Sequence, residues 1–178
     1  MEYNYESSRI DSLRTFVDDN LNKFIEEQIG IYGEVAEHSG EVLLSGGKRL
    51  RPILFLLAYE LVEGLEDNDS IVDIAMALEL IHTATLVHDD INDQSNTRRG
   101  VPTLHSKYGT SKAIIAGDWL FVQGFSFSGR QGPNVVKMVT RACSRIATAE
   151  YSQLDHVLDL ATSPEDYLEI IAGKTAGP

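Results

Sequence analysis

An all-α fold is what the sequence predicts, and three observations predict it. Apolar residues recur at helical spacing along the 178-residue chain, no segment shows the strict alternation of a half-buried strand, and the periodic runs are separated by short connections. No internal repeat or low-complexity tract breaks the pattern. Long helices joined by short loops predict a bundle, whose sites are built from side chains on facing helices.

The elements follow in order. Ile10, Leu13, Phe16, Val17, Leu21, Phe24, Ile25 and Ile29 keep a helical period and predict a long amphipathic first helix. A second, shorter helix runs up to "SGGK". Pro52 suits the first turn of a third helix through "ILFLLAYELVEGL", with Gly64 near its end. Ser70 and Asp73 have the spacing of a capping arrangement for a fourth helix over about 71–93. "QSNTRRGVPTLHSKYG" reads as a loop. Thr110 or Ser111 is expected to cap a fifth helix through "KAIIAGDWLFVQGF", ended by "SGRQGPN", and a sixth spans about 135–160. "SPEDYLEIIAGKTA" opens a seventh, with Ser163 as N-cap, Pro164 at the first position and acids in the first turn, where they complement the helix dipole.

Composition narrows the function classes. With 43% hydrophobic and 24% charged residues the chain can bury one substantial core. A formal charge of −12 and a pI near 4.7 argue against non-specific binding to nucleic acid or to an anionic membrane surface. The placement of the few cations is therefore informative. Lys48, Arg49 and Arg51 crowd into "GGKRLRP", and Arg98 and Arg99 into "NTRRG", as if to hold a local anion; Arg49 alone is read as a surface residue. Cys143 is the only cysteine, expected as a small core residue, and suits a reducing compartment. "MEYNYESS" lacks the basic start and apolar run of a secretory signal, and "PILFLLAY" is too short to cross a bilayer, so the expected location is cytoplasmic, without a transmembrane segment.

"LVHDDINDQSNTRRG" carries the chemistry. On a helix Asp89 and Asp93 differ by about 40°, so both carboxylates point into the same space and can share a metal. Asp90, about 100° away, is expected to support the site from behind or face solvent. His82 returns to the Asp89 stripe two turns earlier, and a polar column on an apolar helix favours a lined cavity over a dry core. The segment is not an EF-hand, because the glycine and terminal Glu are missing. His82 and His88 face different directions and do not form a zinc pair of the HExxH type. Oxygen-only ligands flanked by Arg and Lys suit Mg²⁺ bridging to substrate phosphates.

Five motifs in order, "GGKRLRP" (46–52), "LIHTATLVHDDIND" (80–93), "RRG" (98–100), "AGDWLF" (116–121) and "GKT" (173–175), make the chain resemble the trans-isoprenyl diphosphate synthase family. "GKT" is not a P-loop, since Leu168 stands where that motif needs glycine and a helix precedes it. The resemblance implies a helical bundle of the isoprenoid synthase type that joins isopentenyl diphosphate to an allylic diphosphate, with Mg²⁺ as cofactor, and commonly as a homodimer. It assigns Asp89 and Asp93 to Mg²⁺ on the allylic diphosphate, and Lys48, Arg51, His82 and Arg99 to isopentenyl diphosphate. Arg98, Lys174 and Thr175 fall to the allylic diphosphate, with Lys174 joining the two aspartates in the catalytic set. A dimer is also expected because the first helix and "ILFLLAY" offer more apolar surface than a half-length bundle covers.

Product length is expected to follow the stripe of Ala77, Ile81, Ala84 and His88 beside the metal-bearing one. In the family, bulky aromatics four or five residues before the first aspartate give short products. Here those positions hold Thr85 and Ala84, which implies a product of geranylgeranyl length or longer, with Ile81, Ala84 and Thr85 as the length-setting residues. The alternative is that the alanines only allow close helix packing. The family's second aspartate-rich motif has no counterpart before Pro178, so the expectation is a single domain over 1–178, incomplete after the "GKT" helix and weakly active or inactive alone. A truncated chain, a natural short subunit and a non-catalytic or regulatory subunit all fit. A class I terpene cyclase shares the acidic motif but has no need of the isopentenyl contacts in "GGKRLRP" and Arg99.

Overall fold

A computed structural model describes residues 3–63 and 69–177 and divides the chain into two compact units, Met1–Gln131 and Gly132–Pro178. The first holds α1 (Tyr3–Tyr32), α2 (Glu34–Leu43), α3 (Leu50–Glu63), α4 (Asp69–Asn92), strands β1 (Thr97–Arg98) and β2 (Val101–Pro102), α5 (Leu104–Tyr108) and α6 (Thr110–Arg130). The second holds α7 (Pro133–Asp155), α8 (Pro164–Ile171) and a π-helical turn, Ala172–Ala176. The fold is all-α.

Helical periodicity translates directly into the core of the first unit. Leu13, Val17, Leu21 and Phe24 form one stripe of α1 and are all buried, as are Ala77, Leu80, Ala84 and Val87 of α4. Each fully buried leucine, such as Leu21, Leu80 or Leu120, is worth about 1.5–3 kcal/mol over an exposed one. α4 packs most extensively on α6, and the seam is set by glycine. A Cβ at Gly117 would lie 2.5 Å from His88 Nε2, and one at Gly124 would lie 2.6 Å from Ile81 Cγ1. A larger residue at either position would force the His88 or Ile81 side chain to shift. The segment Ile71–Asn92 of α4 is long and apolar enough to cross a membrane by length and composition, with half of its most apolar window buried within the fold.

The segment read as a loop contains local structure instead. β1 and β2 pair antiparallel, Thr97 with Pro102 and Arg98 with Val101, leaving Arg99 and Gly100 as a two-residue turn. Their φ values of 53° and 82° are both positive, the signature of the type I′ turn that matches strand twist. Thr103 closes the base: its N–H donates to the Asn96 carbonyl at 3.0 Å and its Oγ1 to the Ser95 carbonyl at 2.8 Å. So short a pair carries no alternation for a sequence reading to detect.

Helix ends also differ from expectation. Gly109, not Thr110 or Ser111, caps α6, without a side-chain bond. Asp73 accepts hydrogen bonds from Arg130 (3.2 Å) and Gln131 (3.0 Å) at the far end of α6, while the Ser70 side chain and Gly64 lie outside the described residues. α7 stops at Asp155, short of 160, where the backbone passes into i→i−3 turns and Leu158 takes φ 61°. His156 Nδ1 lies 3.0 Å from Thr162 Oγ1, and Asp159 Oδ1 accepts the Ala161 N–H at 2.9 Å. Ser163 does cap α8: it accepts the Asp166 N–H at 3.1 Å while Asp166 accepts the Ser163 N–H at 2.9 Å, completing a capping box with Pro164 in the first turn. Cys143 is half-buried, and burial pushes its thiol pKa up.

Candidate functional site

"GGKRLRP" links α2 to α3, and its middle arginine decides its course. Arg49 is 5% exposed, so the surface reading is corrected: the guanidinium lies inside the first unit. Nε donates to Asp18 Oδ1 at 2.8 Å, Nη1 to Glu79 Oε1 at 2.7 Å and Nη2 to the Leu43 carbonyl at 2.8 Å. Burial opposes its charge, but the bonds to Asp18 and Glu79 outweigh it and hold the pKa above the ordinary guanidinium value. Sequence reasoning missed Asp18 and Glu79. Glu79 did leave a signal, as the one carboxylate between Asp73 and Asp89 on an apolar helix.

With the Arg49 guanidinium turned inward, the loop and its neighbours enclose a cavity of about 440 Å³ lined by Gly47, Lys48, Arg49, Leu50, Arg51, Glu79, His82 and Arg99. Four of the residues expected at one substrate, Lys48, Arg51, His82 and Arg99, thus come together. Arg51 Nη1 lies 3.2 Å from His82 Nε2. A guanidinium only donates, so Nε2 is the acceptor and the imidazole proton sits on Nδ1. Burial, then the charges of Arg51, Arg99, Arg98 and Arg49, lower the His82 pKa to about 4. His82 is therefore neutral in a cationic pocket. Arg99 arrives from the hairpin tip, where its Nη1 donates to the Gly46 carbonyl and ties the turn to the glycine loop.

The carboxylates lie further along α4. The Asp93 N–H donates to the Asp89 carbonyl at 2.8 Å, so helical geometry runs one residue past the assigned end and both acids share a face. Asp89 is half-buried and Asp93 exposed. Asp90 supports from behind: it is 5% exposed and accepts Arg98 Nε on both oxygens, at 2.9 and 3.0 Å. The Asp90 bond first, then the charges of Asp90, Asp89 and Asp93, raise the Arg98 pKa against burial. Arg98 and Arg99 are adjacent yet serve different neighbours, because the hairpin points them apart. Among the described residues no group of three or more His, Cys, Asp or Glu is placed to hold a metal. Two carboxylates one turn apart nevertheless fit an ion such as Mg²⁺, which keeps several waters and takes further oxygens from a substrate.

The length-setting stripe is packed rather than open. Ala84 has no exposed surface and belongs to the core, and Ile81, 8% exposed, packs against Gly124 of α6. That arrangement answers to close helix packing. Thr85 sits on the other side, half-buried on the Asp89 stripe, with Oγ1 donating to the His82 carbonyl at 2.7 Å.

In the second unit, Lys174 and Thr175 lie in the π-turn, a form that recurs at functional sites. Lys174 pairs with Glu150 of α7 and its Nζ donates to Gln153 Oε1 at 3.3 Å, while Thr175 is exposed. A Cβ at Gly173 would meet that of Ala149 at 2.8 Å, so this glycine lets the turn lie against α7.

Comparison with known proteins agrees with this picture. A family model described as polyprenyl synthetase matches residues 34–178. The chain is 34% identical to a short chain isoprenyl diphosphate synthase of Methanocaldococcus jannaschii, covering 89% of this chain and 48% of that protein. It is 36% identical to octaprenyl diphosphate synthase of Escherichia coli, covering 88% and 48%. Among solved structures, geranylgeranyl pyrophosphate synthetase from Pyrococcus horikoshii superposes with a TM-score of 0.87 at 32% identity, covering 99% of this chain and 55% of that one. A polyprenyl synthase from Caulobacter crescentus, complexed with calcium and isoprenyl diphosphate, gives 0.85 at 34% identity, covering 96% and 52%. The chain spans about half the length of the curated relatives it matches. Motifs, fold and matched span agree that the chain belongs to the polyprenyl synthetase family.

Proposed function

We propose that the chain serves a trans-prenyltransferase that condenses isopentenyl diphosphate with an allylic diphosphate and releases diphosphate. The observation that carries this reading is the cavity in which Lys48, Arg51 and Arg99 surround a neutral His82, on the same helix as the Asp89 and Asp93 pair. Three cations and an imidazole that carries its proton on Nδ1 suit a diphosphate. A terpene cyclase has no use for this second anion pocket.

Lys48, Arg51, His82 and Arg99 hold the isopentenyl diphosphate and fix its double bond. Asp89 and Asp93 would hold Mg²⁺, which would supply stabilisation of the charge that develops on the departing allylic diphosphate. Arg98, kept in place by Asp90, adds a fixed donor for that charge, and Lys174 and Thr175 keep the allylic diphosphate role their motif gives them. The apolar flanks of α4 keep water from the allylic cation while the isopentenyl double bond attacks. Loss of a proton to the released diphosphate completes the bond, so no side-chain base is required.

We further propose that the chain forms a single domain, incomplete after the "GKT" helix and weakly active or inactive alone, that it resides in the cytoplasm, and that it pairs with a second copy. Support for pairing comes from the outward side of α6, which leaves Ile114, Ile115 and Val122 exposed beside the buried seam. Calorimetric titration with isopentenyl diphosphate tests the first claim: a saturable isotherm is expected, lost in Lys48→Ala with Arg99→Ala, and no heat of binding in the parent chain would refute it. Light scattering tests the second, a monomer at micromolar concentration being the refuting result.

A further inference from the structure

We infer that Arg49, with Asp18 and Glu79, is a positioning residue for the isopentenyl diphosphate pocket, acting through Lys48, Arg51 and His82 rather than by touching the substrate. The inference rests on the functional reading just given.

Arg49 lies between two pocket cations in sequence, yet its own side chain is only 3% exposed and all three of its nitrogens donate inward. Its backbone adopts φ 48°, a left-handed conformation that non-glycine residues rarely take. The structure holds it there with acceptors from α1 (Asp18), α4 (Glu79) and the end of α2 (Leu43). The Ile53 N–H donates to the Arg49 carbonyl at 3.1 Å, so the residue that makes the kink also starts α3. Arg51 stands in that first turn. Its direction is therefore fixed by where Arg49 is anchored.

The two contacts with α4 are parallel rungs. Arg49 bonds Glu79 at 2.7 Å, and Arg51 reaches His82 at 3.2 Å, with Glu79 and His82 about one helical turn apart. The first rung sets the register of the second. Arg49 also contributes little net attraction for an anion, because two carboxylates face one guanidinium in this triad.

That charge balance gives a test with opposite signs. Glu79 borders the cavity, so simple electrostatics says that removing its charge tightens diphosphate binding. Positioning says the reverse. Isopentenyl diphosphate should be titrated calorimetrically into the full chain and into Glu79→Met, Arg49→Lys and a stability control, Gly124→Ala, well below each unfolding midpoint. The expected result is affinity weakened on the order of tenfold in both Glu79→Met and Arg49→Lys, with Gly124→Ala keeping the parent affinity despite a lower midpoint. Lysine retains the charge but cannot span three acceptors. If Arg49→Lys does not fold, Glu79→Met decides. Tighter or unchanged binding in Glu79→Met overturns the inference, as does an equal loss in Gly124→Ala. Absence of binding by the parent chain overturns the functional reading itself.

Discussion

Binding of a diphosphate should draw a proton onto His82. In the free protein this imidazole has a pKa near 4, lowered from 6.5 by burial first and then by Arg51, Arg99, Arg98 and Arg49. Other charged groups bordering it are Lys48 from the glycine loop and Glu79 on its own helix, the latter bonded to Arg49. A bound diphosphate reverses the sign of the local field, and an opposite charge at contact distance raises an imidazole pKa by about 1–3 units. Burial persists, so a rise of about two units, to about 6, is the working value. At pH 6 the free protein then carries about 0.01 proton on His82 and the complex about 0.5; at pH 8 both carry almost none. Calorimetry in two buffers of different ionisation enthalpy counts the protons, and His82→Asn removes this site while leaving the substrate's own titration in place. The parent should take up about half a proton more than the variant at pH 6, with no difference at pH 8. Equal uptake at pH 6 would refute the picture of a neutral imidazole held among cations.

Without ligand, the same lowered pKa makes stability depend on pH: the unfolded chain binds more protons between pH 4 and 6.5, so stability is full above 6.5 and lost as pH falls toward 4. Discounted for partial exposure, this amounts to about 1–2 kcal/mol, and thermal unfolding should show the slope in the parent but not in His82→Asn. Gly100→Val forces a branched side chain into φ 82° at the hairpin tip and should cost about 1–2 kcal/mol in denaturant unfolding while weakening isopentenyl diphosphate binding through Arg99. Ala84→Phe should overpack the α4/α6 seam and lower stability by about 1–3 kcal/mol; Thr85→Phe should fold normally, since Thr85 is half-buried on the Asp89 face. Mg²⁺ should bind the chain weakly alone and more tightly with an allylic diphosphate analogue, and Asp89→Ala with Asp93→Ala should abolish that difference in calorimetry.

Much of this site was legible because it follows helix arithmetic. Asp89, Asp93 and His82 share a stripe that a 3.6-residue period places, and the N-cap at Ser163 was marked by residue type, with Pro164 and acids after it. Arg49 was not legible, because the sequence carries no mark of a side chain turned inward by its own backbone; only contacts from residues 18 and 79 reveal it. The alanines of α4 were legible as small but not as covered, since it is the glycines of α6 that let the two helices approach closely. The hairpin escaped for a third reason: two-residue strands are held by one turn geometry and by Thr103, not by any pattern of their own.

That hairpin also constrains chain length in the genetic sense. Surface turns ordinarily tolerate insertion or loss of a residue. Here successive side chains alternate in direction, Arg98 toward Asp90 and Arg99 toward Gly46, so a one-residue slip would send each guanidinium to the other's side. Asp90 would lose its cation inside the fold, and the glycine loop would lose its tie. A residue gained or lost between Asn96 and Thr103 should therefore cost both contacts at once, lowering stability and weakening isopentenyl diphosphate binding together.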